Sequence, residues 1–114
     1  ALDLHGGPNW KALNVDSSVI VNSTADEFYK QPTFYALAHV STFITPGSKR
    51  IDVQPQDYQG VEVTAVRNPD KSVVVVLHNS NFLVVNVIIK IENNHSAAEI
   101  QLPAKSFSTL IFWS

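Results

Sequence analysis

Residues 31–46, Gln-Pro-Thr-Phe-Tyr-Ala-Leu-Ala-His-Val-Ser-Thr-Phe-Ile-Thr-Pro, divide the chain into two stretches with different patterning. At about 100° per residue, Phe34, Ala36, Leu37, Val40, Phe43 and Ile44 fill one broad arc. Tyr35, His39 and Thr42 share the narrow remaining face. Pro32 suits the first helical position, whose N–H has no intrahelical acceptor, and Pro46-Gly47 stops the pattern. The spacing predicts a helix that is apolar over more than half its circumference and therefore nearly enclosed by other structure.

Downstream of the helix the apolar period falls to two. Residues 49–54 put Ile51 and Val53 on one face and Asp52 on the other, and residues 60–67 alternate Val61, Val63 and Ala65 against Glu62 and Thr64. Asn68-Pro69-Asp70-Lys71 has Pro at the second position of a turn and Asp at the third. Lys71 falls where a three-residue hairpin loop needs a left-handed residue, so a positive φ is expected there. Residues 72–78 hold Val73-Val74-Val75-Val76-Leu77, apolar on both faces, as in a central strand covered on both sides. Residues 82–91 point Val85, Val87, Ile89 and Ile91 inward and Asn86 and Lys90 outward, and residues 92–97 form a polar turn. Residues 99–102 and 105–113 complete the set, the last alternating Phe107, Thr109, Ile111 and Trp113 against Ser106, Ser108, Leu110 and Phe112. Six strands with regular turn signals predict an antiparallel sandwich.

Upstream the pattern is less regular. Residues 1–4 read as the end of a strand, stopped by His5-Gly6-Gly7-Pro8, and residues 9–14 continue as loop. Residues 17–22 form a short strand and residues 22–26 a turn. Residues 27–30 are extended, because the approach to Pro32 disfavours helix.

Composition narrows the function classes. A length of 114 residues fits one domain with a real core. Hydrophobic residues at 45% against charged ones at 16% leave the surface short of charge, as if part of it were covered by more protein. A net charge of −2 gives no electrostatic case for nucleic acid or an anionic membrane. Without cysteine there is neither a disulfide framework nor a thiolate metal site. No apolar run approaches the ~20 residues of a transmembrane helix. The opening on Ala1-Leu2, without Met, reads as the interior of a longer protein.

Several stretches occur together in one order: Ala1-Leu2-Asp3, Gly6-Gly7-Pro8-Asn9-Trp10, Val15-Asp16-Ser17, Glu27-Phe28-Tyr29-Lys30-Gln31-Pro32 with Phe34-Tyr35, Pro46-Gly47-Ser48-Lys49-Arg50, and Pro103-Ala104-Lys105-Ser106. Together they resemble the C-terminal part of the glucosylceramidases (acid β-glucosidases) of glycoside hydrolase family 30. The resemblance covers essentially the whole chain. It implies the last β/α unit of a (β/α)8 TIM barrel in residues 1–47, with strand, active-site loop and final helix, followed by an antiparallel β-sandwich in residues 48–114. The chain is then a fragment of a two-domain α/β plus all-β protein. Barrel enzymes carry their sites on the loops at the strand C-termini, which puts residues 6–14 on the active-site rim.

Retaining glycosidases use two carboxylates roughly 5–5.5 Å apart. The resemblance places both catalytic glutamates on earlier barrel strands, so no catalytic residue is expected in this stretch and the stretch alone should be inactive. Asp3 and Asp16 flank one loop and read as a strand end and a backbone-ordering carboxylate. Family members tend to show Asn then an aromatic before Val-Asp-Ser, the Asn contacting the glucosyl group. Here Leu13 takes the Asn position and Asn14 the aromatic one, which makes both candidate substrate-pocket residues. Trp10 suits either a sugar-stacking platform or, preferably, a packing residue that pins the Gly-rich loop. The histidines show no ligand-like spacing, and neither a metal nor a cofactor is expected. Asn22-Ser23-Thr24 and Asn94-His95-Ser96 are glycosylation triplets in predicted turns.

The resemblance thus implies part of a retaining β-glucosidase that hydrolyses glucosylceramide to glucose and ceramide. Its partners would be the remainder of the hydrolase barrel, a glycosphingolipid substrate and an activator protein, in a lysosomal or secreted setting. Residues 1–4 and one sandwich edge are expected to pair with chain outside this sequence, since an open sheet edge invites pairing. The alternatives are a non-catalytic β-sandwich carbohydrate-binding or interaction module and an inactive family member.

Overall fold

The computed structural model describes residues 1–55, 57–92 and 97–113. The chain forms two compact units, Ala1–Ser41 and Thr42–Ser114.

The first unit carries β1 (Leu2–Asp3), β2 (Val19–Asn22), β3 (Glu27–Lys30) and α1 (Pro32–Ser41). β2 and β3 form an antiparallel hairpin with Val19 opposite Lys30 and Asn22 opposite Glu27. β1 lies parallel to β2, with Leu2 beside Ile20 and Asp3 beside Val21. One neighbour of β1 is therefore supplied within the chain, by a strand beyond the intervening loop. The Gln31 N–H donates to the Ser18 carbonyl at 3.0 Å and the Phe34 N–H to the Gln31 carbonyl at 2.9 Å. The first bond carries the β2–β3 pairing one residue further, and the second opens the helix.

The helix differs from its expectation in extent and in cover. It ends at Ser41, and none of its residues is buried within this chain. Leu37, on the broad apolar arc, is 60% exposed, and Val40 is also exposed. A three-stranded sheet of two- and four-residue strands has too little surface to cover such an arc. The residues just after the helix are held by a side chain from further along the sequence. The Asn68 Nδ2 donates to the Phe43 carbonyl at 2.9 Å and its Oδ1 accepts from the Thr45 N–H at 3.3 Å. Both backbone groups are thereby taken from any further helical turn. No helix among the described residues is long and apolar enough to cross a membrane.

The second unit is a two-layer antiparallel sandwich, as its alternation predicts. Its larger sheet has the order β10 (Ser106–Phe112), β7 (Val73–Asn79), β6 (Val61–Arg67), β4 (Lys49–Ile51), with β5 (Asp57–Tyr58) also on β6. The other sheet pairs β8 (Val85–Lys90) with β9 (Ala97–Leu102). Val61, Ala65, Val73, Val75 and Leu77 meet Val87 and Leu102 in the main core, with Leu110 and Phe112 packed against it. On the opposite face of the larger sheet Val66, Val74 and Val76 form a second cluster, against which Ile44 packs. β7 is accordingly covered on both faces along most of its length. Burying two apolar rows contributes about 25 cal/mol per Å² of apolar surface removed from water, and this dual burial is what makes β7 the centre of the unit.

Two turns show how chemistry sets register. Lys71 has φ +72°, as the hairpin reading requires. Its N–H closes the turn onto the Asn68 carbonyl at 2.9 Å. β5 follows no sequence periodicity. It is joined to β6 through Gln59 and Gly60, both at positive φ, the pattern of a two-residue hairpin turn that keeps the strand twist.

The Asp70 carboxylate accepts from the Ser72 hydroxyl at 2.6 Å and the Ser72 N–H at 2.9 Å. The hydroxyl first and the N–H second hold its pKa below the ordinary carboxylate range. Because the folded value is the lower one, the contribution is fully present above the unfolded value of about 4 and is lost as pH falls through the folded value. Asp70→Asn should therefore be less stable than wild type near neutrality, with the gap closing in acid. Denaturant unfolding of both full-length proteins at about pH 7 and about pH 3 checks this, and a pH-independent gap would contradict it.

Candidate functional site: the loop after the first strand

The loop from His5 to Asp16 leaves the C-terminal end of β1 and returns to the start of β2. Its first bend is built by Asp3. The Oδ1 of Asp3 accepts from the N–H groups of His5 and Gly7, each at 2.8 Å. The Asp3 N–H donates to the Gly7 carbonyl at 2.7 Å. The backbone bonds from Gly7 and His5 hold the Asp3 pKa below the usual carboxylate range. A carboxyl kept ionised in this way is a poor general acid, which agrees with its reading as a strand end.

The loop crosses itself at Gly6. A Cβ there would lie 2.8 Å from the Val15 carbonyl oxygen and 2.9 Å from the Val15 nitrogen, and φ is +79°. Both facts demand glycine. The two limbs are then tied by one side chain, Asn9. Its Nδ2 donates to the carbonyls of Gly6 at 2.7 Å and Leu13 at 2.8 Å. Its Oδ1 accepts from the N–H groups of Lys11 at 3.1 Å and Leu13 at 3.0 Å. Both N–H groups and both lone pairs of the carboxamide are thus filled by backbone, so one side chain ties the two limbs together. Asn9 is the residue that the sequence reading left inside a motif without a role. Its signal was an Asn directly after Gly-Gly-Pro, where a side-chain amide substitutes for missing backbone pairing.

Within this chain the Trp10 indole is fully exposed, at 105% of its reference surface, and the two limbs of the loop are tied by Asn9. Leu13 is clamped through both its N–H and its carbonyl, while its side chain is 55% exposed. Asn14 is exposed beside it, and Ala12 adopts φ +52° at the tip. The Asp16 Oδ1 accepts from the Ser17 N–H at 2.8 Å. The structure thus brings Trp10, Leu13 and Asn14 onto one loop whose limbs are tied by Asn9. Trp10 and Leu13 give the loop exposed apolar surface, and the carboxylates at its ends accept from backbone N–H groups.

The remaining candidates lie elsewhere. Asn22 ends β2 in the hairpin. Asn94 lies outside the described residues. His78 has its Nδ1 3.2 Å from a Glu62 carboxylate oxygen and stacks on Phe107 at 4.4 Å, on the sheet face away from the main core. Among the described residues no three His, Asp or Glu side chains are grouped to hold a metal ion.

The family profile described as the glycosyl hydrolase family 30 TIM-barrel domain matches residues 1–44, and that of the family 30 β-sandwich domain matches residues 47–110. Putative glucosylceramidase 3 of Caenorhabditis elegans is 38% identical over 97% of this chain and 21% of its own length. Lysosomal acid glucosylceramidase of Mus musculus is 47% identical over 69% of this chain and 15% of its own length. The chain thus spans about a fifth or less of these relatives. Among solved structures, SrfJ from Salmonella typhimurium superposes with a TM-score of 0.90 at 20% identity, covering 99% of this chain and 25% of that one. The endo-β1,6-glucanase BT3312 gives a TM-score of 0.79 at 23% identity, covering 95% and 24%. At those identities the superpositions show the fold alone.

Proposed function

The chain belongs to glycosyl hydrolase family 30, and from that premise we propose that the complete protein is a retaining β-glucosidase cleaving glucosylceramide to glucose and ceramide. The observation that carries this reading is the 38% identity to a protein named as a glucosylceramidase over 97% of the chain. A two-step retaining reaction needs one carboxylate as nucleophile and one as acid/base. Asp3 and Asp16 are spent on backbone N–H groups, which supports placing both catalytic carboxylates in the part of the protein beyond these residues.

On this reading the present residues supply the closing β/α unit, one loop of the site and the sandwich. The loop positions Leu13 and Asn14 at the glucosyl pocket, with its shape set by Asn9. The exposed arc of α1 and the second edge of β1 take their cover and pairing from the remainder of the barrel. The setting is lysosomal or secreted, as the name of the mouse relative supports.

The test is a substrate comparison with purified full-length protein. Glucose release from glucosylceramide should exceed sugar release from xylan and from a β-1,6-linked glucan by orders of magnitude. Preferential attack on either polysaccharide would overturn the substrate assignment, and inactivity on all three would mark an inactive family member.

A further inference from the structure

We infer that Asn22 is a site of N-linked glycosylation, carried on the β2–β3 hairpin. The inference rests on the secretory-pathway part of the proposed function, and the hydrolytic reading makes no use of this motif. The triplet Asn22-Ser23-Thr24 satisfies the acceptor requirement, and such a bulky, solubilising group belongs on an exposed turn. The structure supplies that turn. Asn22 is the last residue of β2 opposite Glu27, and every residue from 23 to 30 is exposed.

The decisive point is the valence of the carboxamide. The Asn22 Oδ1 accepts from the Ala25 N–H at 3.3 Å, and Nδ2 donates to the Tyr29 hydroxyl at 3.2 Å. Tyr29 in turn donates to a Glu27 carboxylate oxygen at 3.0 Å. The hairpin therefore uses the carbonyl and one N–H of Asn22. In the transfer, the amide nitrogen bonds to the anomeric carbon of a lipid-diphosphate-linked oligosaccharide. The anomeric C–O bond breaks, the lipid diphosphate leaves, and the displaced amide proton passes to a base of the transferase. The product keeps the carbonyl and one N–H, the same inventory that the hairpin needs. The 42% exposed Tyr29 also offers a ring beside the first sugar. Modification thus leaves as many N–H groups as the hairpin uses, whereas an Asn using both internally would lose a bond.

The experiment directs the full-length protein into the secretory pathway of a eukaryotic cell with an added leader and maps its peptides. Treatment with peptide N-glycosidase converts a glycosylated Asn to Asp. Conversion at Asn22 is expected in wild type and in Thr24→Ser, and its loss in Thr24→Ala. That last variant leaves Asn22 and its bonds intact, so misfolding does not mimic the result. An unmodified Asn22 in the secreted wild-type protein would overturn the inference. Expression of the full-length protein without the added leader separates the two claims. Conversion with the leader but none without it would refute the compartment while upholding the site.

Discussion

Replacing Asn79 by Leu should lower the unfolding free energy by about 3 kcal/mol or more, although the two side chains are similar in size. Asn79 is 1% exposed at the end of the central strand. Its Nδ2 lies 3.0 Å from the Leu83 carbonyl, 3.2 Å from that of Leu102 and 2.9 Å from that of Pro103. Its Oδ1 accepts from the N–H and the Nδ2 of Asn81, at 3.0 and 2.9 Å. One buried amide therefore ties β7 to the loop entering β8 and to the turn leaving β9. Leu strands several of those groups away from water, each at a cost of about 1–3 kcal/mol. Asn79→Asp should be worse, because a carboxylate oxygen would face three carbonyl oxygens. Urea unfolding of the full-length protein reads both variants. A loss below about 1 kcal/mol for Asn79→Leu would contradict the account.

The second large effect is kinetic. Asn9→Ala should reduce kcat/KM on a β-glucoside about 100-fold, since a displacement of about 1 Å in a positioning loop costs that much. Its thermal midpoint should move little, because the loop is exposed and buries few apolar atoms. Asn9→Asp is a sharper version. It keeps the acceptor for the Lys11 and Leu13 N–H groups but sets an oxygen against the Gly6 and Leu13 carbonyls. Steady-state kinetics beside a melting curve separates positioning from folding. Activity within twofold of wild type would remove Asn9 from the site.

The sandwich was legible because burial writes a period into the sequence. Alternation in β6 and β8, and the unbroken Val run in β7, follow directly from which faces meet water. The positive φ at Lys71 was legible because Pro69 and Asp70 leave few turn types. Four features were not. The length of α1 depends on Asn68, a residue well downstream whose partners no local pattern reveals. The openness of its apolar arc concerns surface that these residues do not cover themselves. The part played by Asn9 in the Gly-Gly-Pro-Asn-Trp stretch leaves no periodic trace, because its four bonds all run to backbone inside the loop. β5 was missed for a related reason. Its two residues are paired through a Gln-Gly turn, with no periodicity of their own.

The most direct test of the loop's place in the enzyme is amide hydrogen exchange on the full-length protein, with and without a glucose-configured glycosidase inhibitor. Exchange should slow across residues 6–14 on binding, centred on Lys11 and Leu13, whose N–H groups Asn9 holds. The hairpin at residues 22–27 should be unaffected. Inhibited protein with unchanged exchange in residues 6–14 would contradict that placement.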